Sequence, residues 1–559
     1  MPVSLDIGIV QFDPVVGDVT GNRDRLATEY RAAAADGADI VVTPELSLLG
    51  YPPRDLLHRD DFRRAAREAL AALAGLTHSG PPLVVGTATR VSEADTAPLA
   101  NSAVVLRDGR REATYAKRLL PTYDVFDEHR YFEPGTAPLV VGVDGVDIGV
   151  TICEDAWHDV VVAGQRRHDA DPLLETAEVG ADLILTLAAS PFSLDKPARR
   201  ARRFERHADR TGCPVVFVNQ AGAHDELIFD GHSLVAAGSG AVERFAGFEP
   251  KARVVSVGAP GEPVPPYDES RGTQTRAALS LGLRDYFRKT GFEQAVLGLS
   301  GGIDSSVAAT LAADALGADS VYGVSLPSAV TSPQSVDDAR ALARNLGIEF
   351  DVVSVEESVE AVRSTLARNA AEPAGVALEN LQARVRGDVL MTIANGRDAL
   401  VLTPDNKSEG AVGYCTLYGD AVGALAPLGD CYKRLVYELA ATFNDAPPAD
   451  APSSTPIPGS VIEKPPTAEL REGQTDADEL PPYDALDPVI EGYVEGNETR
   501  AALSERHDDA VVDRAVSRIV RSEFKRRQTP PPLRVTRKAF GRGWNYPVAA
   551  RYDHGSGEQ

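Results

Sequence analysis

The sequence has few cysteines and no cysteine-rich motif. Among its 559 residues only positions 153, 213, 415 and 431 are cysteine, and no two of them form a Cys-x-x-Cys pair. Zinc knuckles and disulfide frameworks need closely spaced cysteines. The sequence therefore suggests neither, and we expect each cysteine to be a free thiol.

A long apolar run and a leader segment are missing too. No stretch of about 18 apolar residues could span a bilayer, and Met1 is not followed by a basic and then an apolar segment. We expect a soluble, cytoplasmic protein with no membrane partner.

Positive charge is scarce. The chain has 57 Lys and Arg against 82 Asp and Glu, which gives a formal net charge of −25. Because nonspecific nucleic-acid binding depends on neutralising phosphates with Lys and Arg, we expect no nucleic-acid partner. Any nucleotide ligand must meet cations placed locally in its site. This acidity is also compatible with a high-salt habitat.

Length and periodicity predict two large domains. A chain of 559 residues exceeds one hydrophobic core. Its alternating strand and helix patterns are interrupted near residues 258–275, where Gly-Ala-Pro-Gly-Glu-Pro-Val-Pro-Pro occurs. We therefore predict domains at 1–260 and 276–559, joined by a linker at 261–275.

Both predicted domains are of the α/β class. In the first, the predicted strands are 5–10, 39–43, 83–87, 146–152, 183–187 and 215–219, and the predicted helices are 22–36, 61–75 and 196–211. In the second, the predicted strands are 295–299, 321–326, 350–355 and 399–402, and the predicted helices are 305–316, 333–346, 376–396 and 498–527. The first pattern predicts a layered domain, and the second predicts a doubly wound parallel sheet.

Residues 300–306, Ser-Gly-Gly-Ile-Asp-Ser-Ser, join an apolar strand to a helix predicted to begin near Ser305. The glycines let backbone N–H groups approach an anion, and the helix start adds unpaired donors and a positive dipole end. We expect Ser305 to cap this helix. No Gly-Lys-Ser/Thr follows, so the loop is not a classical P-loop. It resembles the pyrophosphate loop of ATP pyrophosphatases; a glycine-rich turn without a ligand is the alternative.

Three residues of the first half form a second candidate centre. Cys153, Glu45 and Lys117 each lie close behind a predicted strand or apolar run, so three strand ends could bring them together. A carboxylate can take the proton of a thiol as the sulfur attacks a carbonyl. A lysine and the backbone N–H after Cys153 can stabilise the resulting oxyanion. The alternative is an inert core thiol, which is the usual state of a free cysteine.

With their surroundings, these residues resemble the Glu-Lys-Cys triad of the nitrilase superfamily, which hydrolyses or transfers carbon–nitrogen groups. The segments 117–132 (KRLLPTYDVFDEHRYF) and 189–196 (ASPFSLDK) are similar to its glutamine-amidase branch. The resemblance implies a nitrilase-like α/β/β/α sandwich for the first domain. For the second, the loop at 300–306 implies a doubly wound parallel sheet of the adenine-nucleotide α-hydrolase, or ATP pyrophosphatase, type.

From about residue 3 to residue 547, the chain resembles the glutamine-dependent NAD synthetase family. The resemblance implies a ligase that releases ammonia from glutamine and uses ATP to amidate deamido-NAD through an adenylate, giving NAD, AMP and pyrophosphate. It also implies glutamine contacts at Tyr123, Ser190 and Lys196. A hydroxyl pair and an ammonium suit the carboxylate and amide of an amino acid.

The resemblance also assigns residues of the second half. It implies an ATP site formed by Gly298, Leu299, Ser300, Gly301, Gly302, Ile303, Asp304, Ser305 and Thr403. It implies Mg²⁺ ligation by Asp304 and Glu409, and oxygen ligands of this kind suit that ion. It further implies deamido-NAD contacts at Asn380, Glu409 and Lys525. By itself, the basic run Lys525-Arg526-Arg527 would be an ordinary solvated helix end.

Two features complicate this interpretation. Composition predicts a linker or a disordered loop at 446–483, which is rich in Pro, Asp and Glu, whereas the resemblance predicts an ordered or substrate-ordered loop beside the synthetase site. Pro404 and Asp405 replace the Thr-Gly expected before Asn-Lys-Ser-Glu, so an ATP contact must come from Thr403, from backbone, or not at all. Ala424 stands where glycine is common in the family, and we expect only a small packing change there.

Three alternatives remain open. The first domain could be an inactive scaffold on an ammonia-dependent synthetase, or the second could be a nucleotide sensor on a stand-alone amidase. The third alternative is another pyrophosphatase ligase, such as a GMP or asparagine synthetase, although these enzymes normally pair the loop with another type of glutaminase.

The family resemblance also implies a homo-oligomer. Two distant sites that share ammonia predict a tunnel between them.

Overall fold

The computed structural model describes residues 4–92, 94, 96–162, 164–238, 240–258, 264, 267, 270–550 and 552. The chain forms two compact units, Met1–Asp268 and Glu269–Gln559. Residues 261–263, 265, 266, 268 and 269 of the predicted linker 261–275 lie outside the described residues, and a helix begins within it, at Arg271. In the described part of the chain, no helix combines the length and the apolar character needed to cross a membrane.

The first unit contains helices α1 (Val19–Ala35), α2 (Asp60–Leu76), α3 (Pro172–Glu178) and α4 (Lys196–Thr211). Its strands are β1 (Leu5–Gln11), β2 (Ile40–Val42), β3 (Leu83–Arg90), β4 (Leu99–Arg107), β5 (Arg110–Ala116), β6 (Leu139–Val143), β7 (Val146–Ile152), β8 (Val161–Val162), β9 (Gln165–Arg166), β10 (Leu183–Ala188), β11 (Val215–Asn219), β12 (Ala221–His224), β13 (Leu227–Asp230), β14 (Leu234–Ala237), β15 (Gly240–Arg244) and β16 (Lys251–Val257).

Two six-stranded sheets form the centre of this unit, in the orders β16-β1-β2-β3-β4-β5 and β15-β14-β11-β10-β7-β6. Within each, a parallel core, β1-β2-β3 or β7-β10-β11, is extended by antiparallel strands. Apolar side chains from both sheets share one core that includes Ile9, Val42, Ile152 and Leu185. Helices α1 and α2 contribute to the core on the outside of the first sheet, and α4 to that of the second. The predicted α/β/β/α sandwich is confirmed.

The second unit contains strands β17 (Gln294–Gly298), β18 (Val321–Ser325), β19 (Glu349–Val352) and β20 (Ala399–Val401). Its helices are α5 (Arg271–Thr290), α6 (Ile303–Leu316), α7 (Pro333–Leu346), α8 (Glu356–Asn369), α9 (Val376–Arg397), α10 (Lys407–Val412), α11 (Lys433–Asp445), α12 (Gly459–Glu463), α13 (Tyr483–Ile490), α14 (Arg500–Ser504), α15 (Asp509–Arg521) and α16 (Glu523–Arg526).

The sheet of this unit is parallel, in the order β19-β18-β17-β20. From β17 the chain moves outward through β18 to β19 and then returns to the other side of β17 as β20. The strand order therefore reverses between β17 and β20, and ligands of open α/β sheets bind at the carboxyl end of such a switch point. The predicted doubly wound sheet is confirmed, and residues 299–306 and 402–409 leave it at this point.

Two sequence predictions need revision. The helix predicted at 498–527 is three shorter helices, α14 to α16, because Asp508 accepts hydrogen bonds from Ala510 N and Val511 N and caps a new helix in mid-segment. The composition-based prediction of disorder at 446–483 is also wrong. Ile457 and Val461 are each only 1% exposed, and Ile457 N donates to Asn444 Oδ1 at 3.0 Å.

Candidate active sites

Glu45 and Lys117 meet at the strand ends of the first unit. Lys117 directly follows β5, and its Nζ donates to Glu45 Oε1 at 2.7 Å. Asn101 Nδ2 donates to the same oxygen at 2.7 Å, and the backbone N of Ala189 donates to Glu45 Oε2 at 2.8 Å. Both side chains of the ion pair are buried. Buried charges need such partners, because water no longer solvates them.

A second carboxylate, Glu128, completes this network. Lys117 Nζ donates to Glu128 Oε1 at 2.8 Å, and the hydroxyl of Tyr51 donates to that oxygen at 2.8 Å. Burial opposes the charge on Lys117, but Glu128 and Glu45 outweigh it and raise its pKa well above the ordinary value. The lysine is therefore a fixed positive charge. Glu128 is a site residue that was not predicted from the sequence, although it lies in the segment 117–132 that resembles the glutamine-amidase branch.

Cys153 lies where β7 ends and a 3₁₀ turn, Cys153–Trp157, begins. Its φ is +42°, an unusual backbone conformation for a cysteine, and the residue is partly exposed. Burial raises the pKa of its thiol well above the ordinary value; Glu45 adds to this effect and Lys117 opposes it. The thiol is thus protonated at neutral pH and needs a base to become a nucleophile.

Asp155 links the Lys117 and Cys153 segments. Its Oδ1 accepts from the backbone N of Arg118 at 3.1 Å and of Leu119 at 2.9 Å, just beyond Lys117. Its Oδ2 accepts from Ile152 N at 2.9 Å, immediately before Cys153. A fully buried carboxylate therefore fixes two strand ends against each other, so the triad is held by the backbone.

The three expected glutamine contacts are linked, by hydrogen bonds or by their position in the chain, to residues that neighbour the triad. The Tyr123 hydroxyl donates to Glu154, at 2.9 and 3.0 Å from its two oxygens, and Glu154 follows Cys153 in the chain. Ser190 follows Ala189, whose N–H binds Glu45, and its backbone N donates to Asn219 Oδ1 at 2.8 Å.

Lys196, the third expected glutamine contact, is the first residue of α4. Its Nζ donates to Pro191 O at 2.6 Å and lies 6.0 Å from the ring centroid of Trp157, the last residue of the turn that begins at Cys153. The lysine is therefore joined both to the Ser190 segment and to the Cys153 turn.

In the second unit, the loop 300–306 has the geometry of an anion cradle. Gly301 has φ +74°, and a Cβ there would lie 2.2 Å from Ser335 O, so only glycine fits. Gly302 caps α6, which begins at Ile303. The helix thus starts two residues before the predicted position near Ser305, and the predicted cap at Ser305 is wrong. The Ser305 hydroxyl instead donates to Gly302 O at 3.1 Å and lies 3.0 Å from Ser300 Oγ, which tightens the turn.

Replacing Gly301 with alanine is expected to lower strongly any activity that depends on this loop, because the loop must move away from Ser335. Strain at a left-handed residue costs about 1–3 kcal/mol, and the collision adds to it. Steady-state rates and thermal unfolding would measure both effects. Gly291→Ala is the matched control, since Gly291 has φ +83° and open space around it. Gly291→Ala should lower the stability and leave the activity unchanged. Equal loss of activity in both variants would contradict an anion-binding role for the loop 300–306.

Asp304 and Glu409, the expected Mg²⁺ ligands, converge on one buried cation. Lys433 Nζ donates to Asp304 Oδ2 and, at 3.0 Å, to Glu409 Oε1. Asn406 Nδ2 donates to Asp304 Oδ1 at 3.0 Å. Burial raises the pKa of Glu409 to about 7 against the opposing effect of Lys433. Within the described residues, no group of three or more His, Cys, Asp or Glu side chains is arranged to hold a metal. Asp304 and Glu409 are two carboxylates that accept from the same Lys433 Nζ atom.

Thr403 and Asp405 lie in the same cleft as the loop. The Thr403 hydroxyl donates to Asp420 O at 2.6 Å, so its proton is already used. Burial, followed by the charges of Asp420, Glu409 and Asp304, raises the pKa of Asp405 well above the ordinary value. The substitution of Asp405 for the expected glycine thus adds a carboxylate to a cleft that is already acidic.

Positive groups reach the cleft from distant parts of the second unit. Lys433, Lys464 and Arg386 line it together with residues 465–470 of the Pro-rich segment. Lys464 Nζ donates to Ser335 Oγ at 2.5 Å and to Glu469 Oε1 at 2.8 Å. These are the local cations that an acidic chain needs at a nucleotide site. Sequence analysis did not identify any of the three.

Asn380 and Lys525, the expected deamido-NAD contacts, flank the turn after α10. Asn380 Oδ1 accepts from Thr416 Oγ1 at 2.7 Å. Lys525 Nζ donates to Gly413 O and Cys415 O, at 2.7 Å each. The two residues are brought together on this turn but are not among those that line the cleft.

Comparison with known proteins gives two family matches. Residues 6–256 match the carbon-nitrogen hydrolase family, and residues 276–529 match the NAD synthase family. Together they span the two sets of residues described above.

Full-length relatives combine the same two parts. The chain is 40% identical to a glutamine-dependent NAD(+) synthetase of Synechocystis sp., covering 98% of this chain and 99% of that protein. It is 42% identical to that of Xanthomonas campestris pv. campestris, covering 98% of each. The structure of the Acinetobacter baumannii glutamine-dependent NAD+ synthetase in complex with ADP matches with a TM-score of 0.76, 33% identity and 98% coverage of both chains. The chain therefore belongs to the glutamine-dependent NAD(+) synthetase family.

Proposed function

We propose that the first unit releases ammonia from glutamine at Cys153 and that the second uses it to convert deamido-NAD to NAD. The observation that carries the first half is the buried Glu45–Lys117 pair, at 2.7 Å, beside a protonated thiol. An inactive scaffold would have no need for a buried ion pair of this kind, which costs desolvation energy.

In the first half-reaction, Glu45 takes the thiol proton while Cys153 Sγ attacks the amide carbon of glutamine. The C–N bond breaks, ammonia leaves with a proton returned by Glu45, and a thioester remains. Water activated by Glu45 then cleaves the thioester to give glutamate. Lys117, held positive by Glu128 and Glu45, stabilises the oxyanion in both steps.

Glutamine recognition uses both signs of charge. Lys196 and Ser190 suit the substrate carboxylate, and Tyr123 contacts Glu154. The Glu154 carboxylate suits the α-ammonium group of glutamine. It lies next to Cys153 in the chain, so a substrate held there presents its amide to the sulfur.

In the second half-reaction, the loop 300–306 and the start of α6 hold the phosphates of ATP, with Gly298, Leu299 and Thr403 around the nucleotide. The nicotinate carboxylate of deamido-NAD attacks the α-phosphorus, which releases pyrophosphate and gives an adenylate. Ammonia then attacks the activated carbon and AMP leaves. Positioning and charge neutralisation carry this half.

Asp304 and Glu409 fit a Mg²⁺ ion bound mainly through ATP phosphates, because both carboxylates already converge on one cation, Lys433. Mg²⁺ in nucleotide sites commonly takes one or two carboxylates together with phosphate oxygens. When bound, the ion would neutralise phosphate charge. Asn380, Glu409 and Lys525 are proposed as deamido-NAD contacts, with the turn at 413–416 as the element that Asn380 and Lys525 position.

We also propose that residues 1–260 form the amidohydrolase domain and 276–559 the synthetase domain, with 446–483 as the substrate loop. A homo-oligomer is proposed because the family resemblance implies one, and a cytoplasmic location fits the composition.

The proposal is tested by supplying the purified protein with ATP, Mg²⁺, deamido-NAD and either glutamine or ammonium. Equal amounts of NAD and AMP should form with both nitrogen sources. NAD formation from ammonium alone would support the inactive-scaffold alternative. Glutamine hydrolysis without AMP formation would support the stand-alone amidase.

A further inference from the structure

Glu154, beside the nucleophile, is held from two different elements. From one side the Tyr123 hydroxyl lies 2.9 and 3.0 Å from its two carboxylate oxygens. From the other side, His168 Nε2 lies 3.0 Å from Glu154 Oε1. The side chains of Glu154 and His168 are only 5% and 11% exposed. The contact is therefore an internal one, at the edge of the proposed substrate pocket.

The chemistry of this contact determines which atom donates the hydrogen bond and how many more hydrogen bonds the carboxylate can accept. An ionised carboxylate only accepts hydrogen bonds, so the Nε2 atom of His168 carries the proton. A carboxylate can accept about four hydrogen bonds, whereas Tyr123 and His168 supply one proton each from these atoms. Acceptor capacity therefore remains for a substrate ammonium group.

His168 lies two residues after a short surface ribbon, β8–β9. The ribbon is closed at its base by a hydrogen bond from Arg167 N to Val160 O at 3.1 Å. Arg166, on the same ribbon, donates to His158 O at 3.4 Å and is exposed. His168 thus joins an otherwise peripheral ribbon to the residue that follows Cys153.

We propose that His168 is a positioning residue for glutamine, because its Nε2–H fixes the Glu154 carboxylate where it meets the α-ammonium group of the substrate. This inference rests on the proposed function. His168 takes no part in the transfer of the thiol proton, so it acts on substrate affinity and not on the chemical steps.

The test measures NAD formation by full-length variants with glutamine and with ammonium. His168→Ala should raise the KM for glutamine about tenfold or more, the effect of losing one hydrogen bond to a charged group, with kcat nearly unchanged. His168→Gln keeps a donor at the position of Nε2 and should restore most of the affinity. Arg166→Ala, on the same ribbon, should leave the KM unchanged. Ammonium-supported synthesis should be unaffected in all three variants.

A second measurement separates positioning from a general structural role. Glutaric acid monoamide has the carboxylate and amide of glutamine but lacks the α-amino group. Its inhibition constant against glutamine should be the same for the wild type and His168→Ala. An equal rise for both compounds, an unchanged KM in His168→Ala, or no rescue by His168→Gln would overturn the inference. Failure of the proposed function is distinguishable, because the wild type itself would then form no NAD from glutamine, or glutamine-supported synthesis would survive Cys153→Ala.

Discussion

Replacement of Cys153 by alanine is expected to abolish NAD synthesis from glutamine and to leave synthesis from ammonium intact. Alanine has no nucleophile, and the remaining Glu45–Lys117 pair cannot form a thioester. Removing a catalytic nucleophile typically lowers the rate by roughly a thousandfold or more. Rates with each nitrogen source, at saturating ATP and deamido-NAD, measure the effect.

Cys213 supplies the matched control for this prediction. It is a buried thiol of the same unit, and its Sγ donates to Ala181 O at 3.0 Å, away from the triad residues. Cys213→Ala should support synthesis from both nitrogen sources. Equal loss of glutamine-supported and ammonium-supported synthesis in Cys153→Ala would contradict the assignment of the two half-reactions to separate active sites.

The fold was predictable where burial makes the sequence pattern strong. The strands β1, β10 and β11 are buried along almost their whole length, so apolar residues dominate each of them. By contrast, β5 is largely exposed and reads Arg-Arg-Glu-Ala-Thr-Tyr-Ala. Its place in a sheet depends on pairing with β4, which the sequence does not reveal.

The triad was accessible to sequence reasoning because strand ends converge at one edge of a sheet. Glu128 was missed because it lies in a short 3₁₀ turn away from any predicted strand, and only the long-range contact with Lys117 gives it a role. Lys433 was missed for a similar reason. It begins a helix more than a hundred residues after Asp304, and nothing local in the sequence marks its contact with that carboxylate.

The segment 446–483 shows where composition misleads. Its prolines and acidic residues are typical of disorder, yet a few buried apolar side chains and the contact of Lys464 with Ser335 hold it against the sheet unit. Prolines lower the entropy lost on ordering, so a small number of contacts is enough. The family resemblance predicted an ordered loop and was better than composition, because related sequences preserve the residues that make such contacts.

Replacement of Asp304 by alanine is expected to remove NAD synthesis from either nitrogen source. Asp304 is placed in the first turn of α6, lines the same cleft as Thr403 and shares Lys433 with Glu409. Without it, one of the two proposed Mg²⁺ oxygens is lost, and Lys433 is left with Glu409 alone. Each 1.36 kcal/mol of lost transition-state stabilisation lowers the rate tenfold, so loss of a several-kcal/mol metal contact predicts a decrease of about a hundredfold or more.

The isosteric Asp304→Asn variant sharpens this test, because it keeps a side-chain oxygen and the approximate shape but removes the charge. Both variants should lose ammonium-supported synthesis, and raising the Mg²⁺ concentration should recover more activity in Asp304→Asn than in Asp304→Ala. Asp337→Ala removes an exposed carboxylate of α7 that pairs with Arg340, and it should behave as the wild type. Substantial activity in Asp304→Ala at ordinary Mg²⁺ concentration would argue against a metal role. Activity that does not change with the concentration of the ion would argue against it too, because a side chain needed only for packing would give that result.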